Sequence, residues 1–313
     1  MKPFYDAQSA LAFMVAQAAT IEQQVYRTQY AAIRYPGLFY IDTSANPWTP
    51  SVVYYSQDQV GQAEWFSAKA DDMPRADVVR SQFITPIRMA AIGYGYDVEE
   101  VAIAQLLGNN LPADKATAAR RAAEEKMDQT WLFGDTDVGF KGLVNNDQVT
   151  AGNVADGAGA ADLTWPTKTP DEILLDVNTG ITGIYTNSKQ IEMADTILLP
   201  VDRLTYIATK RLSDHSEISV LEWLKKYNVY TQETGKPLNI RGLRGLETAG
   251  ASSTRRMVIY TNSPDVVKAH LPMPFRFWPV FQEGPMKFLV PGTVRLGPVD
   301  IKRPSAIRYY DGI

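Results

Sequence analysis

The chain has 313 residues, with 31 Lys and Arg against 35 Asp and Glu, two histidines and no cysteine. Without cysteine there are no disulfides, no thiolate catalysis and no cysteine-ligated metals. The net charge of −4 and a pI near 5.4 argue against tight nucleic-acid binding through a basic patch.

A 45% hydrophobic fraction with 21% charged residues is that of a folded globular chain, long enough for one large domain or two. The aromatic content of 11%, with 16 tyrosines, is compatible with core packing and tilts slightly towards assembly. In residues 1–35, Phe4, Ala7, Leu11, Met14, Ala18, Ile21 and Val25 recur by threes and fours, which predicts a helix. Its apolar face lies either along a partner chain or on its own domain. Asp6 and Gln8 interrupt the start and the apolar run Leu11 to Val15 is short, which argues against a secretory signal. No stretch reaches the roughly 18 to 20 apolar residues of a membrane span.

Tyr35-Pro36-Gly37 breaks this helix, and Pro47 and Pro50 keep the following chain extended. Residues 52–96 predict a long β-hairpin. VVYYSQDQV and Trp65-Phe66 form its first arm, Asp71-Asp72-Met73-Pro74-Arg75 a polar turn, and Val78 to Tyr96 the return. A two-stranded ribbon of this length is marginal alone and needs a surface to lie on. Asp97, with Glu100 three residues on, caps a short helix that Gly108 stops.

A long helix then runs from Pro112 to Phe133, with Asn110 or Leu111 at its cap and Gly134 at its end. Ala116, Ala119, Ala123, Met127 and Trp131 form one face, narrow enough for another backbone to approach closely. Phe140 to Val144 reads as a strand start, and residues 151–162 as a small-residue loop or link. Thr169-Pro170-Asp171-Glu172 opens a further helix with a capping box. Thr196 to Leu199, Leu238 to Leu246 and Arg256 to Tyr260 read as strands, and Leu204 to Arg211 and Ser219 to Tyr227 as helices. This alternation predicts a second compact domain over about 166–270. Short strands follow at Lys287 to Val290, Thr293 to Leu296, Val299 to Lys302 and Ala306 to Tyr310.

No constellation supports chemistry. Asp214, His215 and Ser216 are sequence neighbours and make no triad, and His270 is read as lying in a turn without metal-ligand spacing. A calcium loop starting at Asp135 would need a bidentate glutamate at its twelfth position, which is Asn146. The glycine-rich run 152–159 has no Lys-Ser/Thr after it. The pairs Asp71-Asp72, Glu99-Glu100 and Glu124-Glu125 read as solvated faces or caps.

The acidic cap Asp97, Glu99 and Glu100, the Ala-Gln-Leu-Leu-Gly ending at Gly108, the run Ala118 to Lys126, Phe133-Gly134-Asp135 and Gly142-Leu143-Val144-Asn145-Asn146 occur in that order. The chain closes with Gly297-Pro298-Val299-Asp300-Ile301-Lys302-Arg303-Pro304 and Tyr310-Asp311-Gly312-Ile313. This resembles the major capsid proteins of tailed double-stranded DNA phages, whose Hong Kong 97-type fold is shared with encapsulins. The resemblance implies an α+β fold: an N-terminal arm (1–50), an E-loop hairpin (51–96), a peripheral domain (97–165) with a spine helix (112–133), an axial domain (166–270), and a return to the peripheral sheet (271–313).

It also implies a structural protein that assembles into pentamers and hexamers of an icosahedral shell around DNA. No cofactor, metal or catalytic residue is expected. The expected partners are further copies of the chain, a separate scaffolding protein, a portal and a decoration protein, with DNA met by weak non-specific contact and no membrane. Location would be the virion capsid, assembled in the host cytoplasm. Candidate inter-subunit contacts are Trp65, Phe66, Lys69, Asp71, Asp72 and Arg75 on the hairpin, and Phe4, Leu11 and Met14 on the arm. Lys69 is also the position at which the resemblance raises cross-linking. An encapsulin-like compartment is the alternative within the fold, and an α/β enzyme or binding protein the alternative outside it.

Overall fold

Strand β7 (Thr196–Leu199) and strand β9 (Arg256–Tyr260) are buried at every position, the pattern of strands covered on both faces. The computed structural model describes residues 30–62, 75–100, 111–159, 164–213 and 215–313. In it these two strands are central in a five-stranded sheet of order β6-β16-β9-β7-β8. Its other members are β6 (Ala151–Asn153), β8 (Asn239–Gly242) and β16 (Ile307–Asp311).

Side-chain alternation divides this sheet between two cores. Leu198, Val258, Tyr260, Ile307 and Tyr309 enter one; Ile197, Leu199, Met257, Ile259 and Tyr310 enter the other. The first core is covered by helix α1 (Leu111–Phe133) through Met127, Trp131 and Leu132. The second is covered by α2 (Pro170–Asn187) through Ile173, Val177, Ile181 and Ile184. Ile207 of α3 (Val201–Thr209), Leu224 of α4 (Val220–Lys226) and Tyr230 of α5 (Val229–Thr234) complete it. Each aliphatic side chain so buried contributes about 1.5–3 kcal/mol. Residues Ile33 to Ile313 form one compact unit.

The small-residue face of α1 is where the sequence placed it. Ala119, Ala123, Met127 and Trp131 are buried, and Ala116 is half-buried. Trp131 is wholly enclosed, with Tyr35 and Phe39 edge-on at 4.9 and 5.9 Å, and its Nε1 donates to Gly297 O at 3.0 Å. On the outer face Arg121 and Glu125 pair at 2.9 Å, worth a few tenths of a kcal/mol.

The last carbonyls of α1 are met by a strap from the chain that follows. Leu143 N donates to Trp131 O (2.9 Å) and Val144 N to Leu132 O (3.1 Å), while Asn145 Nδ2 donates to Phe133 O (2.6 Å). Asn145 Oδ1 in turn accepts from Gly142 N at 2.8 Å. A Cβ on Gly142 would sit 2.2 Å from Leu132 O, so only glycine lets the strap come this close. Gly134 leaves the helix at φ +79°.

Helix α2 begins with the expected capping box, Thr169 with Glu172. Around the two cores lie β1 (Tyr40–Asp42), β4 (Arg88–Ala91), β5 (Tyr94–Asp97) and β10 to β15. These last are Val267–His270, Met273–Phe277, Phe281–Gly284, Lys287–Val290, Gly292–Leu296 and Val299–Ile301. They form three three-stranded sheets, β1-β10-β15, β11-β14-β4 and β12-β13-β5.

Five local expectations are corrected. Strands β4 and β5 pair with β14 and β13, so the hairpin's paired length ends at Pro86, not Tyr96. Phe140 to Val144 forms the strap instead of a strand, because its amides answer the helix end. Ala151–Asn153 is an edge strand parallel to β16, not a loose link. The sheet over 166–270 is completed from outside that range, by β6 and β16. His270 lies on β10, and its side chain is buried. Residues 98–100 are helical; the rest of the expected short helix and the candidate cap Asn110 lie outside the described residues.

Candidate functional site

β2 (Ser51–Val60) and β3 (Asp77–Pro86) pair only with each other, over ten residues in continuous register from Ser51↔Pro86 to Val60↔Asp77. β-Branched and aromatic residues dominate the stretch and form the ladder, but almost nothing covers it. Within the two strands only Thr85 is buried. Cross-strand partners share a face, so Val53 with Ile84 and Tyr55 with Gln82 lie on one side. Tyr55 is 68% exposed and Ile84 62%, with Val53 and Val78 also exposed. Exposed apolar area on this scale marks an interaction surface.

The opposite face meets the body at its root. Tyr54 stacks on Phe83 at 5.1 Å, and the Lys302 ammonium stands 5.8 Å from the Tyr54 ring. Thr85 Oγ1 donates to Asp300 Oδ2 at 2.6 Å, and the same oxygen lies 3.0 Å from His270 Nε2. On the other side of the imidazole Asp42 accepts from Ser44 and Lys268. Burial pushes the Asp42 carboxyl up, but the bonds from Lys268 and Ser44 outweigh it and hold the group below the usual carboxylate range. His270 Nδ1 is buried and has no hydrogen-bond partner. This polar cluster joins β1, β10 and β15 to the ribbon and sits beside a groove of about 400 Å³ between Tyr54, Phe83, Lys141, Asn146 and Asp300. No group of side chains among the described residues could hold a metal ion. No helix among them is long and apolar enough to cross a membrane.

A second junction holds Arg34 and Tyr35 against α1. Asp128 on α1 accepts from Arg34 N (2.8 Å), Arg34 Nε (2.7 Å) and Tyr35 N (2.9 Å), while Arg34 Nη1 donates to Arg244 O. Charge-assisted bonds of this kind are worth more than neutral ones.

Of the contact candidates, Arg75 is exposed two residues before β3. Trp65, Phe66, Lys69, Asp71, Asp72, Phe4, Leu11 and Met14 lie outside the described residues. Sequence reasoning missed Tyr55 and Ile84 as exposed apolar positions, and Thr85, Asp300 and Asp128 as anchors. The signal for the first two was a β-rich stretch with apolar residues on both alternating faces. The anchors carry no local signal, because Thr85 and Asp300 are 215 residues apart. Of the acidic pairs, Glu100 is engaged by Lys115 and Glu125 by Arg121, and His215 is exposed in a turn.

The sequence profile of the Major capsid protein family matches residues 61–313. No curated protein matches the sequence. Among solved structures, the capsid of the Myoviridae phage XM1 superposes with a TM-score of 0.80 at 17% identity, over 95% of this chain and 98% of that one. A protein of Microbacterium phage Oxtober96 gives 0.63 at 11% identity, over 98% of each chain. The capsid of an empty GTA particle, computed with C5 symmetry, gives 0.58 at 12% identity, over 96% and 98%.

Proposed function

We propose, for a chain that belongs to the Major capsid protein family, structural proteins of bacteriophage capsids and not enzymes, that the β2–β3 ribbon is the extension by which one subunit lies over the next. The carrying observation is the ribbon's exposure: Val53, Tyr55, Val78 and Ile84 are uncovered in a single copy. A neighbouring copy supplies the missing cover.

Repeated around rings, the contact builds pentamers and hexamers, and these close an icosahedral shell around double-stranded DNA. Many weak contacts then add by multivalency. The segment before residue 34 is the second reaching element, with Phe4, Leu11 and Met14 as contacts. Trp65, Phe66, Lys69, Asp71, Asp72 and Arg75 serve the ribbon's outer end. In the terms of the fold, residues 1–50 are the arm, 51–96 the E-loop region, 97–165 with 271–313 the peripheral domain, and 166–270 the axial domain. The acidic balance fits a wall that meets DNA weakly. A scaffolding protein, a portal and a decoration protein are the further partners, and assembly takes place in the host cytoplasm.

The test is electron microscopy of the purified chain, alone and expressed with its neighbouring genes. Rings or closed shells are expected; a small monodisperse monomer under every condition overturns the reading. Deleting residues 60–80 should leave a soluble folded subunit that forms no shells. If that deletion assembles normally, the ribbon is not the connecting arm.

A further inference from the structure

His270 sits on β10 between two carboxylates that belong to different strands. Asp300 Oδ2 of β15 lies 3.0 Å from Nε2, and Asp42 Oδ2 of β1 lies 3.7 Å from Nδ1. The ring is buried. An ionised carboxylate only accepts hydrogen bonds, so Nε2 carries the hydrogen that faces Asp300. In the neutral ring Nδ1 is then a bare acceptor turned towards another acceptor, too far away for a bond and without any other partner.

The charges around the ring do not balance. Asp42 has the Lys268 ammonium as its counter-ion and also accepts from Ser44 N and Oγ. Asp300 is met by the Thr85 hydroxyl and by the imidazole itself. Two carboxylates against one ammonium leave one negative charge over. Further out, Lys302 of β15 stands over the Tyr54 ring of β2. Gly297 gives His270 O a backbone N–H at 2.9 Å and brings no charge. The link to the ribbon is a single atom: Asp300 Oδ2 takes both the imidazole and the hydroxyl of Thr85, the one buried residue of β2 and β3.

We propose that His270 is a pH-dependent latch for the ribbon root. A proton on Nδ1 turns that atom into a donor, which closes on Asp42 while Nε2 keeps Asp300. β1, β10, β15 and, through Thr85, β3 are then joined by one charge-paired chain. The added bond exists only while the proton is on. It is therefore present in mild acid and lost as the pH rises through the range in which an imidazole ordinarily titrates. Asp42 stays ionised throughout that range, because against burial the bonds from Lys268 and Ser44 hold its carboxyl below the usual carboxylate range. The latch belongs to the single subunit. Its bearing on assembly, a stiffer ribbon in mild acid, rests on the ribbon reading.

The test is hydrogen exchange of the full chain as free subunit, read by mass spectrometry and corrected for the intrinsic pH dependence of exchange. Protection of residues 51–60 and 77–86 should be about tenfold higher at about pH 5.5 than at about pH 7.5, since a bond to a charged group is among the stronger hydrogen bonds. His270→Gln keeps an amide donor for Asp300 but takes up no proton, and should flatten this dependence. Thr85→Val should flatten it too, yet leave the ring free to titrate. The ring is read directly by nitrogen NMR. The chain has two histidines, and His215→Asn assigns them. Both ring nitrogens of His270 should carry hydrogen at the lower pH. Should His270→Gln fail to fold, the wild type and Thr85→Val decide. Ribbon protection that does not change with pH in the wild type, or a His270 ring still neutral at the lower pH, overturns the latch. Neither readout needs a particle, so a chain that never assembles overturns the shell reading alone.

Discussion

The β2–β3 ribbon and the β7–β9 centre of the main sheet are both rich in β-branched and aromatic residues, yet their fates are opposite. In β9 all five residues are buried, and alternate side chains serve two different cores. In the ribbon the ladder is ten residues long and only Thr85 is covered. Local preference made strands in both places. What differs is whether the chain itself provides the other surface. In the centre, helices on both sides do so, whereas almost nothing in the chain covers the ribbon, which we propose another subunit does. On that proposal stability and assembly belong to separate regions, and mutations should separate them too.

The sharpest break comes from the centre. Trp131→Ala empties a fully enclosed site and loses the bond to Gly297 O. It should cost about 3–5 kcal/mol, read as a large fall in the denaturant midpoint or as loss of soluble subunit. Gly142→Ala forces a Cβ onto Leu132 O at 2.2 Å and should cost about 1–3 kcal/mol in the same assay.

At the border between the two regions, Thr85→Val keeps the shape and removes the hydroxyl that Asp300 accepts from. About 1 kcal/mol of stability should go, with faster hydrogen exchange across β2 and β3. Asp42 tests the same root by pH. Its folded carboxyl titrates below its unfolded value of about 3.9. Its contribution is thus present above about pH 4 and lost as pH falls through the folded value. Asp42→Asn should lower stability at neutral pH and shrink the difference from wild type in strong acid; a constant difference would count against it. The smallest effect on folding belongs to the ribbon's outer face. Tyr55→Ser with Ile84→Ser should leave stability within about 0.5 kcal/mol and abolish particles. A large loss of stability in that variant would erase the contrast between the regions.

Periodicity carried the centre into view. The alanine stripe of α1, the capping box at Thr169 and β7 and β9 to the residue were legible because each depends on near neighbours. What was not legible depends on remote partners. Arg88–Ala91 looks like a continuation of the hairpin until Gly292–Leu296 competes for it. Phe140 to Val144 looks like a strand start until the carbonyls of Trp131 and Leu132 need donors. His270 looks like part of a proline-rich turn until β1 and β15 close on either side of β10. At the candidate surface, the need for a partner was readable from the ribbon's composition. Its anchors were not, since Thr85 meets Asp300 only after the chain has folded.

The single buried hydroxyl at Thr85 has a geometric consequence. At about 3.3 Å per residue, ten paired residues make a lever roughly 33 Å long, so a rotation of about 10° at the root displaces its far end by about 6 Å. That is more than the spacing between neighbouring strands. If the ribbon lies over an adjacent subunit as proposed, small angular play at one threonine decides which residue there the ribbon meets, and accuracy at the scale of a whole particle is set where β3 enters the body.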